Sequence, residues 1–580
     1  MIDVYRMVVV NLIASISLFS GVLIYKYIYP KRNINPLFLL ILISLLPLIS
    51  ILRKGTYESG DLTLHAHYAM SFYENLQAGN LFPQWTNVGY GTPVFIFLYP
   101  LPFYLASLFH FIGFSFLNSM KLVFISAYIV SGITMYLWAK EEFGKIPGFL
   151  ASLVYLFAPY HLVDMHFRAS VGETLSFAFI PLIFLFSKKI IETRKYKFLI
   201  LGAISFAFLM LSHLSTSLIT LHLVAIYTFI IWVKKKNKRK IDLLYWLSSI
   251  ILGLLVSSFY WIPAKFEVQY TLYSFTLPTT GFLSLWELFY SPTMFGLLFQ
   301  GHHGETYYLL GYTQLLLLAI SILLIKKIRN KRERLFLLFF QISFFILAFM
   351  TQSESKKIWE TFSYLNNFQF AWRLLVPIAF ILSAIAAITA KKLNKKIVFI
   401  ICIFTIFSTI LNWGNRKTVP EQKINRAGYE TLYTEYYDPL DPIYKKVYPN
   451  LNHIVLKDIP KLPIETIKGK AEIKQIHRNP TDHEYLIDAK TDVIIKENTL
   501  YFPNWELFID NSPHPIEFKN PKYMGVITFK LNRGIYKAEL KFQNTKIRTI
   551  SQLISIFSLS SIITVLLLQI IYLTVNSRKN

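Results

Sequence analysis

The chain of 580 residues reads as a polytopic α-helical membrane protein carrying a β-sandwich outside the membrane, just before its last helix. Three observations predict this. Hydrophobic residues make up 54% of the chain, and apolar runs of roughly 16–22 residues recur from end to end, the length at which a helix crosses a hydrocarbon core. The basic residues behind a formal charge of +26 fall in short clusters between those runs. One long stretch near the C-terminus breaks the pattern, with charges, prolines and alternation in place of apolar runs.

The basic clusters are Lys31–Arg32, Lys188–Lys189 with Arg194 and Lys195, Lys234–Lys240, Lys326–Arg334 and Lys391–Lys396. Short basic loops between spans mark the cytoplasmic side. No basic stripe is interleaved with aromatics on a soluble module, so nucleic acid is excluded as a partner. Cys402, alone and inside an apolar run, leaves no disulfide framework and no thiolate metal site. The first run, about 7–29, lacks a small-residue cleavage site and is expected to be a retained helix.

Spanning helices are expected near 7–29, 36–52, 118–138, 146–160, 173–187, 197–213, 216–233, 242–262, 308–325, 335–350, 372–389, 397–413 and 549–574, about 13 in all. With every basic cluster inside, the N-terminus lies outside and the C-terminus inside. The apolar stretch 93–114 would reverse every later loop if it crossed. It holds Pro93, Pro100 and Pro102, which break regular helix, and it is heavily aromatic. Aromatics favour the headgroup level, so it is expected to lie in the interface as a bent helix. A true crossing there, with one later helix miscounted, is the alternative. External segments then run over 53–117, 161–172, 263–307, 351–371 and 414–548. The domains follow: a transmembrane domain over 1–413 with its first external loop at 53–117, a β-rich domain over 414–548, and a last helix with a cytoplasmic tail over 549–580. Within the β domain, "GIYKAELKF" alternates as a half-buried strand, and "YFPNWELFIDNSPHPIEF" reads as strand, turn, strand with Asp510–Asn511 at the tip.

Chemistry is expected where polar groups meet the outer membrane boundary, because ionisable side chains near hydrocarbon are costly. In "GDLTLHAHYAMSFYENLQAGN" a helix is expected from Leu62 to about Ala78, stopped by Gly79. Asp61 is then an N-cap, with His65 four residues on along the same face and His67 beside it; a plain cap and a base or metal site both fit. "APYHLVDMHFRASVGE" crowds His161, Asp164, His166, Arg168 and Glu173 into one connection. Glu173 could instead serve only the helix dipole, and Arg168 could snorkel to headgroups. In "NNFQFAWRLLVP", Trp372 suits the interface and the fork of Arg373 suits a phosphate. "LSHLSTS" places His213 in a polar turn where packing is an equal explanation. "GHHGETYY" adds His302, His303 and Glu305, which do not by themselves make a metal signature.

An acid in a long first external loop, an interfacial aromatic helix, a second acidic turn, many spans and a terminal soluble domain resemble the GT-C superfamily of membrane glycosyltransferases. More narrowly, "GDLTLHAHYA", "FPQWTNVGYGTPVFIF", "RASVGE", "SHLSTS", "NNFQFAWRLL" and "YFPNWELFID" resemble the 6-pyruvoyl-tetrahydropterin synthase-related membrane proteins and the YfhO-like group. The order of these motifs covers nearly the whole chain. The helix at 7–29 departs from the usual single span before the acidic loop, and nothing here resembles a soluble zinc synthase of pterin chemistry.

The resemblance implies a plasma-membrane enzyme that moves a sugar from a polyprenyl-phosphate donor to a glycan, protein or lipid acceptor on the extracytoplasmic side. It implies Asp61 as general base, with His65 tuning it, and Glu173 as the second-loop acid, orienting the acceptor or sharing a divalent cation (Mg or Mn) with Asp61. Arg168 and Arg373 would supply countercharge to the lipid phosphate. His67, Tyr90, Asp164, His166, His213 and Trp372 would lie among the substrate contacts. A transporter or flippase of lipid-linked sugars is the rival reading, and it should show repeated halves or interrupted helices; the sequence shows neither. A non-catalytic envelope-assembly protein with the same fold is the third.

Overall fold

The computed structural model describes residues 4–57, 59–270, 280–289, 309–410, 413, 418–419, 460–520, 522–523 and 525–577. The chain divides into two compact units. The first comprises Met1–Leu62, Leu117–Leu254 and Pro278–Gln422, and the second Thr63–Phe116, Leu255–Leu277 and Lys423–Asn580. Most of the expected first external loop, Thr63–Phe116, therefore belongs to the same unit as the β domain, while its start, with Asp61, belongs to the first unit.

Among the described residues, seven helices are long and apolar enough to cross a membrane: Met7–Ile28, Phe116–Phe143, Val171–Thr193, Leu214–Lys234, Lys331–Met350, Ala371–Ala390 and Lys546–Gln569. Two bent pairs raise the number to nine. Four of the thirteen expected segments are shorter helices: Pro36–Leu48, Tyr312–Leu324 and Lys395–Phe407 have 13 residues each, and Tyr196–Ser212 has 17. Segments 146–160 and 242–262 are interrupted, contrary to the sequence reading. The first bends by 45° between Lys145–Leu156 and Pro159–His166, because Pro159 can open a helix but cannot continue one. The second breaks between Val256 and Ser258.

In the first unit, Leu375–Ala390 is buried at all 16 positions. A helix apolar on every side belongs inside a bundle, and this one packs against Lys145–Leu156, Tyr312–Leu324 and Lys331–Met350. The basic ends of the spans are tied by ion pairs: Glu142 holds Lys188 at 3.0 Å and Arg332 at 2.6 Å. Two short strands, β1 (Thr56–Tyr57) and β2 (Thr418–Val419), pair antiparallel.

In the second unit, stretch 93–114 forms a short helix Val94–Phe97, a break at Pro100, and a helix Leu101–Phe111. Eleven residues reach about 16 Å, half of a hydrocarbon core. The β domain has eight further strands: β3 (Ile464–Lys468), β4 (Ala471–Arg478), β5 (Asp482–Ala489), β6 (Val493–Leu500), β7 (Trp505–Ile509), β8 (Ser512–His514), β9 (Val526–Leu531) and β10 (Gly534–Phe542). They form an antiparallel sheet ordered β4-β5-β10-β7-β8 and another ordered β3-β6-β9. Tyr485, Ile487, Ile495, Trp505, Leu507, Phe529, Ala538 and Leu540 share one core. The β7–β8 turn is the expected one. Asp510 and Asn511 take φ of 49° and 65°, the left-handed pair that a tight hairpin needs.

Candidate active site

The connection "APYHLVDMHFR" folds around a short helix, Pro159–His166, that is buried at all eight positions. Tyr160 and Asp164 are four apart on one face of that helix, and Arg168, two residues past its end, continues the row by reaching both side chains. Helix Pro159–His166 ends, and Ala169 takes φ 52°, a conformation that costs a non-glycine residue. That reversal starts helix Val171–Thr193 and sets Glu173, in its first turn, against the row.

Glu173 is fully buried and accepts four hydrogen bonds. Arg168 grips it with both ends of its fork, Nη1 to Oε2 at 2.9 Å and Nη2 to Oε1 at 3.0 Å. The Tyr160 hydroxyl donates to Oε2 at 2.7 Å, and Nε of Arg373 donates to Oε1 at 3.3 Å. Arg168 Nη1 also reaches Asp164 Oδ1 and the Tyr160 oxygen, each at 2.6 Å. Two carboxylates thus face two guanidinium groups, and the charges balance inside the protein, which a buried ionic cluster requires.

Arg373 enters from a second segment. Gln369 takes φ 62° and Phe370 stacks on Trp372, with ring centroids 4.4 Å apart. The guanidinium lies over the Phe370 ring at 5.1 Å, and its Nη1 donates to the Phe368 carbonyl at 2.9 Å. Trp372 packs tightly on Gly281, where an added Cβ would meet the indole at 2.0 Å. His213 caps helix Leu214–Lys234: its Nδ1 accepts from the Thr216 N–H at 3.3 Å. That bond assigns the ring proton to Nε2, which lies 4.0 Å from Glu173 Oε1.

Asp61 hangs on the same turn by its backbone. Its N–H donates to the Arg168 carbonyl at 3.0 Å, and that of Gly60 to the Phe167 carbonyl at 2.9 Å. A Cβ at Gly60 would meet the Arg168 oxygen at 2.8 Å, so the approach needs glycine. The partly exposed Asp61 carboxylate makes no hydrogen bond or ion pair among the described residues.

Asp164, Arg168, Glu173, His213 and Arg373 therefore come together, with the Asp61 backbone attached. His166 does not join them; its Nδ1 lies 3.4 Å from the Ser50 hydroxyl. His65, His67 and Tyr90 belong to the second unit. His65 packs near Tyr99 and Phe103, His67 bonds the Thr63 carbonyl at 2.9 Å, and the Tyr90 carbonyl accepts from Leu500 N–H at 2.8 Å. Sequence reasoning missed Tyr160, although its spacing from Asp164 and Arg168 was the available signal. His302, His303 and Glu305 lie outside the described residues.

This geometry bears on two of the expected roles. Both terminal nitrogens of Arg168 are engaged by Tyr160, Asp164 and Glu173, whereas Arg373 Nη2 makes no hydrogen bond among the described residues. Glu173 gives all its acceptor capacity to three donor side chains, which does not fit a shared divalent cation. No group of three or more His, Cys, Asp or Glu able to hold a metal ion occurs among the described residues.

The sequence profile of the 6-pyruvoyl-tetrahydropterin synthase related domain, a membrane protein, matches residues 95–416. An uncharacterized protein of Lactococcus lactis subsp. cremoris (strain MG1363) is 25% identical over 220 residues. That match covers 37% of this chain and 36% of the relative, so the two share about a third of their lengths. Among solved structures, the arabinofuranosyltransferase AftD from Mycobacteria overlaps with a TM-score of 0.41 at 15% identity, over 67% of this chain and 28% of that one. The Archaeoglobus fulgidus oligosaccharyltransferase, in complex with Zn and sulfate, overlaps with a TM-score of 0.39 at 15% identity, over 74% of this chain and 59% of its own.

Proposed function

This chain belongs to the 6-pyruvoyl-tetrahydropterin synthase related family of membrane proteins, and we propose that it acts there as a membrane glycosyltransferase of the GT-C type. It takes a sugar from a polyprenyl-phosphate donor and transfers it to an acceptor hydroxyl at the extracytoplasmic face of the plasma membrane. One observation carries the reading. Asp61, whose carboxylate makes no hydrogen bond or ion pair among the described residues, is hung by its backbone on the turn that holds Arg168, and through Glu173 that turn holds Arg373, whose Nη2 is likewise unbonded among them.

The chemistry follows from the roles these groups can play. The acceptor oxygen attacks the anomeric carbon as the bond from that carbon to the phosphate oxygen breaks, and the configuration inverts. Asp61 takes the proton that the hydroxyl loses, a step worth roughly 100- to 10,000-fold for a well-placed base. The departing polyprenyl phosphate carries the electron pair away and needs countercharge, which Arg373 supplies through its open Nη2. Arg168, Tyr160 and Glu173 hold Arg373 in place rather than touching the donor.

The test is transfer by the purified protein in proteoliposomes, over a panel of polyprenyl-phosphate sugars, with surface-glycan mass spectrometry to identify the acceptor. Asp61→Asn is expected to lower transfer by about 100-fold or more while expression and insertion persist. Full activity in that variant would remove Asp61 as base. A second reading, translocation of a lipid-linked sugar, draws support from the two interrupted helices. Flipping of a labelled donor without covalent transfer would favour it.

A further inference from the structure

The second unit contains a buried connection that the transfer chemistry does not use. Trp85 lies in the first external loop, yet its fully buried indole is part of the β-domain core. It meets Trp505 edge-on at 5.3 Å between ring centroids and Phe542 at 5.0 Å, both residues being more than 400 positions away. The residues around it bind the same domain. Gln84 donates to Asn544 at 2.9 Å, Asn87 donates to the Asn479 carbonyl at 2.6 Å, and the Tyr90 carbonyl takes the Leu500 N–H at 2.8 Å.

The other side of this loop is fastened to helix Leu62–Gln77. Asn75 Nδ2 donates to the Trp85 carbonyl at 2.8 Å, and Ser71 donates to Thr86 at 2.6 Å. Phe72 and Phe95 pack edge to face at 5.2 Å. Trp85 is thus held by its backbone to the helix and by its side chain to the sandwich.

Such an arrangement costs the chain a large loop closure, and it returns a rigid link between two segments that neither could provide alone. A buried indole with aromatic neighbours on two strands resists sliding, because close-packed interiors transmit displacement. We propose that the β domain is a clamp on the first external loop, with Trp85 and Asn75 as positioning residues that fix helix Leu62–Gln77. Asp61 immediately precedes that helix in the chain; that loosening the helix lowers transfer rests on the transferase reading, whereas the clamp itself does not.

The test uses the full-length protein in nanodiscs, with Trp85→Ala, Trp85→Phe and Asn75→Leu. Hydrogen exchange is followed in helix Leu62–Gln77 and in β7 and β10. Trp85→Ala is expected to raise exchange in both regions together and to lower kcat by about 10- to 100-fold. The KM for the lipid-phosphate donor is expected to stay within about twofold. Trp85→Phe, which keeps an aromatic ring, restores most of both properties. If Trp85→Ala fails to fold, Asn75→Leu carries the comparison, with raised exchange in the helix and the same split between kcat and KM. Faster exchange confined to the β strands in Trp85→Ala, or an unaltered helix and kcat in Asn75→Leu, would overturn the clamp. Absence of transfer in the unmodified protein would instead refute the transferase reading and leave the exchange comparison to decide the clamp.

Discussion

Replacing Glu173 with Gln tests whether the buried ion cluster is as tightly built as its geometry implies. The substitution keeps shape and volume but removes one negative charge. Whichever way the amide turns, its NH2 group takes the place of one oxygen. At Oε2 it would face the donors of Arg168 Nη1 and Tyr160; at Oε1 it would face Arg168 Nη2 and Arg373 Nε. Two charge-assisted hydrogen bonds are lost in either case, each worth about 1.5–3 kcal/mol. The two guanidinium groups are left with Asp164 as their remaining buried countercharge. The expected loss of stability is about 3–5 kcal/mol, the usual cost of breaking a buried pair from one side. Equilibrium unfolding in mixed micelles measures it. Arg168→Met should cost a similar amount, because it strands the two carboxylates with Arg373. The double variant should cost less than the sum by at least about 1.5 kcal/mol, since it removes a charge of each sign. Additive costs, or a single-variant loss below about 1 kcal/mol, would refute the cluster as the structural centre of the site.

Arg373→Ala should weaken competition by a lipid phosphate about 10- to 100-fold, the value of one charge-assisted contact; unchanged affinity in a competition assay would exclude Arg373 from phosphate binding. The β domain should lose stability on acidification. Burial raises the Glu497 carboxyl, but His483 and Arg478 outweigh it and hold the pKa at about 2, against an ordinary 4.5. The unfolded chain therefore takes up a proton that the folded chain refuses, so the Glu497 contribution is complete above pH 4.5 and is lost as pH falls toward 2. His483 acts in the same sense: burial pushes it below its ordinary 6.5, partly opposed by Glu497. Unfolding followed by the fluorescence of Trp505, whose ring lies 5.1 Å from that of His483, measures both. A domain more stable near pH 4 than near pH 7 would contradict the sign.

The spans, the alternating strands and the Asp510–Asn511 turn were legible because each is a property of neighbouring residues: apolar length, a period of two, and tolerance of positive φ. The row Tyr160, Asp164 and Arg168 is local in the same way, although only its last two members stood out by charge. Helix ends were less legible. An apolar run at 146–160 looks continuous by composition, and the 45° bend comes from how Ala158–Pro159 leaves one helix and opens the next.

By itself, then, the sequence determined that this is a many-helix membrane protein with a β domain, and which polar residues are too costly to be incidental. Only the tertiary structure decided their partners. Glu173 and Arg373 are 200 positions apart, and no spacing rule foretells that they share a hydrogen bond. Nor does any pattern in "FPQWTNVGYG" reveal that Trp85 packs on Phe542. The physical reason is the same in both cases. A buried charge or a large indole must find whatever complement the packed elements bring to it, and that choice is made by the whole fold rather than by adjacent residues.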